Sequence, residues 1–183
     1  MIPQCSVFVA VSLDGFIARP DGGIDWLEQA NKLIPPGEDC GFAEFMAGID
    51  ALVMGRATFQ QVLAFPEWMY GDKPVYVLSR TLTSLPAATP STVQLHALDP
   101  REMARLAAAH GRNRLYIDGG RTIQGFLAAG LIRDLTITVI PVLLGSGLPL
   151  FGKLSADVPL THVSTKVFPF GFVQSRYNIG SDA

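Results

Sequence analysis

The sequence predicts an α/β fold whose sheet is largely parallel, with antiparallel pairing at its C-terminal end. Three observations carry that expectation. Short apolar runs suited to strands alternate with stretches whose apolar residues recur at helical spacing. Glycine, proline and brief polar turns separate them, with no low-complexity linker or internal repeat. After Gly130 the helical spacing stops and strand-like segments follow one another, as they do where neighbours pair antiparallel.

Taken in order, Ser6 to Val11 reads as a strand, and Ser12-Leu13-Asp14-Gly15 turns it into a loop through Pro20-Asp21-Gly22-Gly23. Asp14 either fixes this turn with Gly15 or faces a ligand. Asp39 precedes a helix whose buried face is Phe42, Phe45 and Met46. Ala51 to Met54 is a strand ending at Gly55, and Arg56 to Leu63 is the next helix. Pro74 to Leu78 and Val93 to His96 are further strands. Asp99 is a natural N-cap with Pro100 at the first helical position. Leu135 to Leu144 is a long strand, and Thr161 to Ile179 reads as a hairpin or two crossing strands around Phe170-Gly171.

Composition narrows the class. At 183 residues, 49% hydrophobic and 16% charged, the chain can bury a sizeable core and is expected to form one domain over 1–183. A net charge of -2 gives no basic excess for a nucleic-acid backbone, which leaves small molecules or other proteins as partners. The N-terminus lacks a basic n-region and no apolar run reaches membrane-spanning length, so a soluble, cytoplasmic protein is expected. Cys5 and Cys40 lack metal-type or redox-type spacing, and His96, His110 and His162 are scattered; no metal site is expected.

The segment LYIDGGRTIQGFLAAG, residues 115 to 130, joins a buried strand to a helix through Asp118-Gly119-Gly120. Two glycines there make a tight turn, or let a ligand approach the main chain beside unpaired helix N–H groups. Two other strand ends carry similar chemistry. Gly55-Arg56-Ala57-Thr58, Ser79-Arg80-Thr81 and Gly119-Gly120-Arg121-Thr122 each set an arginine and a threonine beside a turn. Ligands of open α/β sheets bind outside the carboxyl ends of strands, and a guanidinium suits phosphate. Taken together, the three ends point to a phosphate-bearing cofactor.

VSLDGFIA at 11 to 18, ALVMGRATF at 51 to 59, PVYVLSRT at 74 to 81, LYIDGGRTIQGFL at 115 to 127 and PVLLGSGLPLF at 141 to 151 resemble the dihydrofolate-reductase-like superfamily. More closely, they resemble stand-alone proteins related to the C-terminal reductase domain of riboflavin-biosynthesis deaminase-reductases. The resemblance implies the three-layer fold of that superfamily and NADPH bound across the strand ends. It places Ala10 and Ile17 at the nicotinamide carboxamide, Gly55, Arg56 and Thr58 at a phosphate-contacting turn, and Ser79, Arg80 and Thr81 at the adenosine-ribose phosphate. Asp118, Gly119, Gly120, Arg121, Thr122 and Ile123 would lie along the cofactor's pyrophosphate and nicotinamide side. Asp25-Trp26 resembles the flexible loop beside the nicotinamide.

The substrate is less constrained. Phe8 and Phe16 stand where riboflavin-pathway domains usually carry basic residues, which argues against a phosphorylated ribitol. The zinc signature of a deaminase is missing from the sequence. The expected activity is hydride transfer from NADPH to a C=N or C=C bond of a small heterocycle, pterin-like or pyrimidinone-like. Alternatives are a riboflavin-pathway-type pyrimidine reductase and a nucleotide-binding module without catalysis. Asp39 or Glu38 is the expected proton donor, although Asp39 is equally a natural N-cap. Trp26, Phe42 and Phe45 are candidates to line the substrate pocket, with core packing as the competing role. The apolar segment Leu131 to Phe151, read as a sheet edge, predicts a homodimer, against burial within one domain.

Overall fold

The alternation in the sequence becomes ten strands and five helices among residues 2–180, which the computed structural model describes. In chain order these are β1 (Gln4–Ser12), β2 (Phe16–Ala18), α1 (Asp25–Asn31), α2 (Phe42–Ala47), β3 (Ala51–Gly55), α3 (Arg56–Leu63), β4 (Val75–Leu78) and β5 (Val93–His96). There follow α4 (Pro100–Ala109), β6 (Arg114–Asp118), α5 (Gly120–Ala128), β7 (Ile132–Ile140), β8 (Leu148–Pro149), β9 (Leu160–Val167) and β10 (Val173–Ile179).

Eight strands form one sheet in the order β5-β4-β3-β6-β1-β7-β10-β9. The six from β5 to β7 pair in parallel, whereas β10 runs antiparallel to both β7 and β9. The mixed sheet therefore has the predicted character. Alternation along the strands divides the core. Ala51, Val53, Leu115 and Ile117 pack with Met103 and Ala107 of α4 and Ile123 and Phe126 of α5 on one face. Leu52, Met54, Val75 and Val77 meet Phe59 and Val62 of α3 on the other. The result is a sheet between two helical layers.

Local chemistry sets several boundaries. Asp99 accepts the N–H of Glu102 at 2.9 Å while Glu102 accepts the N–H of Asp99, and Pro100 opens α4. This reciprocal cap satisfies two otherwise unpaired donors. β7 begins earlier than the expected Leu135, where Ile132 and Asp134 pair with β1, and ends before Leu144 because Pro141 has no N–H to donate.

Two expectations are corrected. Asp25-Trp26 opens α1 instead of lying in a loop. Trp26 and Ala30, one helical turn apart, are buried against Ile140, Phe168 and Phe172, distant residues that no local pattern reveals. Second, the apolar segment from Leu131 is not a sheet edge, since β7 lies between β1 and β10. The sheet edges are β5 and β9, and all eight residues of β9 are exposed.

Candidate functional site

From β3 the chain moves outward to β4 and β5, then returns to place β6 between β3 and β1 before crossing to β7. The crossover makes a switch point at the carboxyl ends of β6 and β1, where open sheets form their ligand crevice. Gly119, Gly120, Asp118, Ala10 and Ser12 all lie at or near these ends.

The two glycines have identifiable packing reasons. Gly119 has φ 85°, and a Cβ there would collide with the Thr58 hydroxyl. A Cβ on Gly120 would lie 2.6 Å from Ile17 Cδ1. Gly55 similarly faces Thr122, whose Oγ1 would be 3.1 Å from an added Cβ. Thr58 and Ile17 thus occupy the space that the glycines leave, and backbone N–H groups of the turn remain at the helix start. Neither α3 nor α5 is capped by a side chain. Thr122 and Ile123 point into the protein, with Ile123 fully buried.

The positive part of the site lies beyond them. Arg56 Nη1 donates to Thr81 Oγ1 at 3.1 Å, and Ser79 Oγ accepts the N–H groups of Thr81 and Leu82. This arrangement folds the turn after β4. A cavity of about 520 Å³ is lined by Leu78, Ser79, Arg80, Ala97, Leu98 and Arg121. The guanidiniums of Arg80 and Arg121 make no hydrogen bond or ion pair to protein among the described residues. Two free guanidiniums at an apolar-walled cavity, beside two uncapped helix starts, fit a phosphate-bearing nucleotide.

Asp118 brings different chemistry. Partial burial pushes its carboxyl up to about 6, offset in part by the Gly119 N–H, which donates at 2.8 Å, and by the Tyr70 phenol. Both phenols are themselves raised by burial, so they stay protonated. The single hydroxyl proton of Tyr116 goes to the Phe8 carbonyl, at 2.8 Å. The site therefore holds an acid able to carry a proton near neutral pH. Tyr116 was legible in principle, because residues two apart on β6 share a face. Tyr70 gave no signal in the sequence.

The carboxylates expected to donate a proton are engaged elsewhere. Asp39 accepts the N–H groups of Gly41 and Ala43 at 2.8 Å each, which holds it below the usual carboxylate range. The N-cap of α2 is Gly41 and not Asp39 as expected; Asp39, two residues earlier, reaches over it to the first-turn N–H of Ala43. Glu38 accepts from Asp39 and Cys40 N–H at 3.1 and 2.7 Å, and lies 3.7 Å from Lys166. Phe42 and Phe45 are half-buried and meet Phe8 and Tyr116, with the Phe45 and Tyr116 ring centroids 5.1 Å apart. They form an aromatic wall next to the strand that carries Asp118. Trp26 is 5% exposed, and its indole N–H has no partner.

Among known proteins, residues 3–173 match the sequence profile described as the RibD C-terminal domain. YwjB of Bacillus subtilis (strain 168), an uncharacterized protein, is 35% identical over 164 residues, spanning 88% of this chain and 90% of that one. A crystal structure assigned to riboflavin biosynthesis, from Shewanella sp. PV-4, is 40% identical with a TM-score of 0.90, covering 97% of this chain and 99% of that chain. A pyrimidine reductase-like protein of Corynebacterium diphtheriae shares the fold, with a TM-score of 0.70 at 18% identity over 98% of this chain and 93% of that one. Extent and order of the match agree with the strand ends described above, and the chain belongs to the RibD C-terminal domain family, with a dihydrofolate-reductase-like fold.

Proposed function

We propose that this protein is an NADPH-dependent reductase acting on a C=N or C=C bond of a small flat heterocycle. The observation that carries the reading is that the carboxyl ends of one sheet hold both an arginine-lined cavity, beside β4, β5 and α5, and a carboxyl raised to about 6 at the end of β6. Ser79, Arg80 and Arg121 would hold the adenosine-ribose phosphate. The helix starts at Gly55-Arg56 and Gly120-Arg121 would face the pyrophosphate, with Thr58 fixing the turn. Main-chain groups of Ala10 and Ile17 would orient the nicotinamide. When bound, NADPH supplies the hydride. Asp118 holds the proton that the reduced substrate takes up, and the aromatic wall of Phe8, Phe42 and Phe45 positions a planar ring and excludes water.

Family membership supports a riboflavin-pathway-type pyrimidine reductase as the second reading. Phe8 and Phe16, apolar where that pathway's domains usually carry basic residues, favour an unphosphorylated substrate. Paired titrations with NADPH and NADH test the cofactor. Arg80→Ala should weaken NADPH by about tenfold to a hundredfold, one charge-assisted bond, and leave NADH nearly unchanged. Equal wild-type affinity for both cofactors would overturn it. Turnover with a panel of pterins and aminopyrimidinones then distinguishes the substrates, and NADPH binding without turnover would favour a binding module.

The homodimer also stands as a proposal, now placed on the exposed β9 edge, because an open strand edge is commonly covered by pairing. A monomer mass by light scattering at micromolar concentration would remove it.

A further inference from the structure

Asp14 lies outside the machinery described so far, yet it gathers donors from two distant segments. Ser12 Oγ donates to its carboxylate at 2.6 Å, Leu144 N–H at 3.1 Å and Gly145 N–H at 2.7 Å. The same Ser12 oxygen accepts the Phe16 N–H at 3.0 Å, and Ser12 itself is buried. These bonds hold the Asp14 carboxyl below the usual range, the Ser12 hydroxyl foremost. Around them, Leu13 N–H donates to the Val142 carbonyl and Leu150 N–H to the Gly15 carbonyl. Phe16 pairs with Pro149 and Ala18 with Leu148 in the small β2–β8 sheet. Gly147 is needed there, because a Cβ would strike the Ala18 carbonyl.

One consequence reaches the crevice. Ile17, between the two paired residues of β2, is the side chain that fills the space beside Gly120 at the start of α5. We propose that Asp14 is a positioning residue: its carboxylate latches the 141–150 segment onto the β1–β2 turn, and through β8 holds Ile17 and its main chain against the Gly119-Gly120 turn. The latch acts on the end of the crevice nearest β1, and leaves the Arg80–Arg121 cavity untouched. The inference rests on the reading that NADPH spans both ends.

The test separates the two ends. Asp14→Asn keeps size but removes the charge that strengthens the bonds from Leu144 and Gly145. NADPH should bind about threefold to tenfold more weakly, while 2′,5′-ADP, which carries only the adenosine half, should change by less than about twofold. Amide exchange at Leu144, Gly145, Phe16 and Ala18 should quicken, with Leu115 to Ile117 still protected. Equal weakening of both nucleotides, or unchanged NADPH affinity, would overturn the proposal. If the wild type binds neither nucleotide, the cofactor reading fails, and exchange alone decides the latch: faster exchange at Leu144 and Gly145 without change at Phe16 and Ala18 sinks it. Should Asp14→Asn not fold, Ser12→Ala removes one donor and the same comparison is read.

Discussion

The carboxyl ends of β6 and β1 lie side by side, yet they hold their aspartates in opposite states. Asp118 is half-buried at the end of β6 near the phenols of Tyr116 and Tyr70, and the loss of solvent pushes it up to about 6. Asp14, on an exposed turn, accepts a hydroxyl and two N–H groups and is held low. Burial penalises the charged form, whereas donors aimed at a carboxylate favour it, so the same side chain becomes a proton carrier in one place and a fixed anion in the other. Asp39 follows Asp14, with two N–H donors and solvent around it. The difference teaches that a carboxylate's position near a helix start says little about its chemistry until its donors and its solvent exposure are known.

The comparison is most sharply broken at Asp118. Asp118→Asn should lower turnover by about a hundredfold or more if the carboxyl delivers the proton, and should abolish the fall in rate as pH rises through about 6. Turnover unchanged in this variant would return the proton to water.

The same substitution has a smaller effect on stability, of fixed sign. The folded protein binds the Asp118 proton more tightly than the unfolded chain, so the contribution is complete below the unfolded value of about 4 and is lost as pH rises through about 6. Asp118→Asn should therefore stabilise by about 2–3 kcal/mol more at about pH 8 than at about pH 4, read by urea unfolding. An equal effect at both pH values would show that the carboxyl is not raised.

The smallest effect on turnover belongs to Asp39. Asp39→Ala should cost about 1 kcal/mol of stability through the bonds lost from the Gly41 and Ala43 N–H groups, and change turnover by no more than about threefold. A loss as large as that of Asp118→Asn would reverse the assignment of roles and restore Asp39 as the donor.

By itself, the sequence determined the periodicities and the turn chemistry. Val93 to His96 and Arg56 to Leu63 have the expected bounds, and Asp99 caps α4 as expected, because spacing, proline and local hydrogen bonds are properties of neighbouring residues. The motif resemblance reached further, to the fold and to the strand ends that gather at the crevice. Tertiary structure alone decided which polar groups remain available. It buried Trp26 under β7 and the C-terminal hairpin, drew Tyr70 towards Asp118, and spent Asp39 on N–H groups while leaving Arg80 and Arg121 unpaired. A side chain's protonation and its freedom to meet a ligand depend on desolvation and on partners far apart in the chain, and no local pattern encodes either.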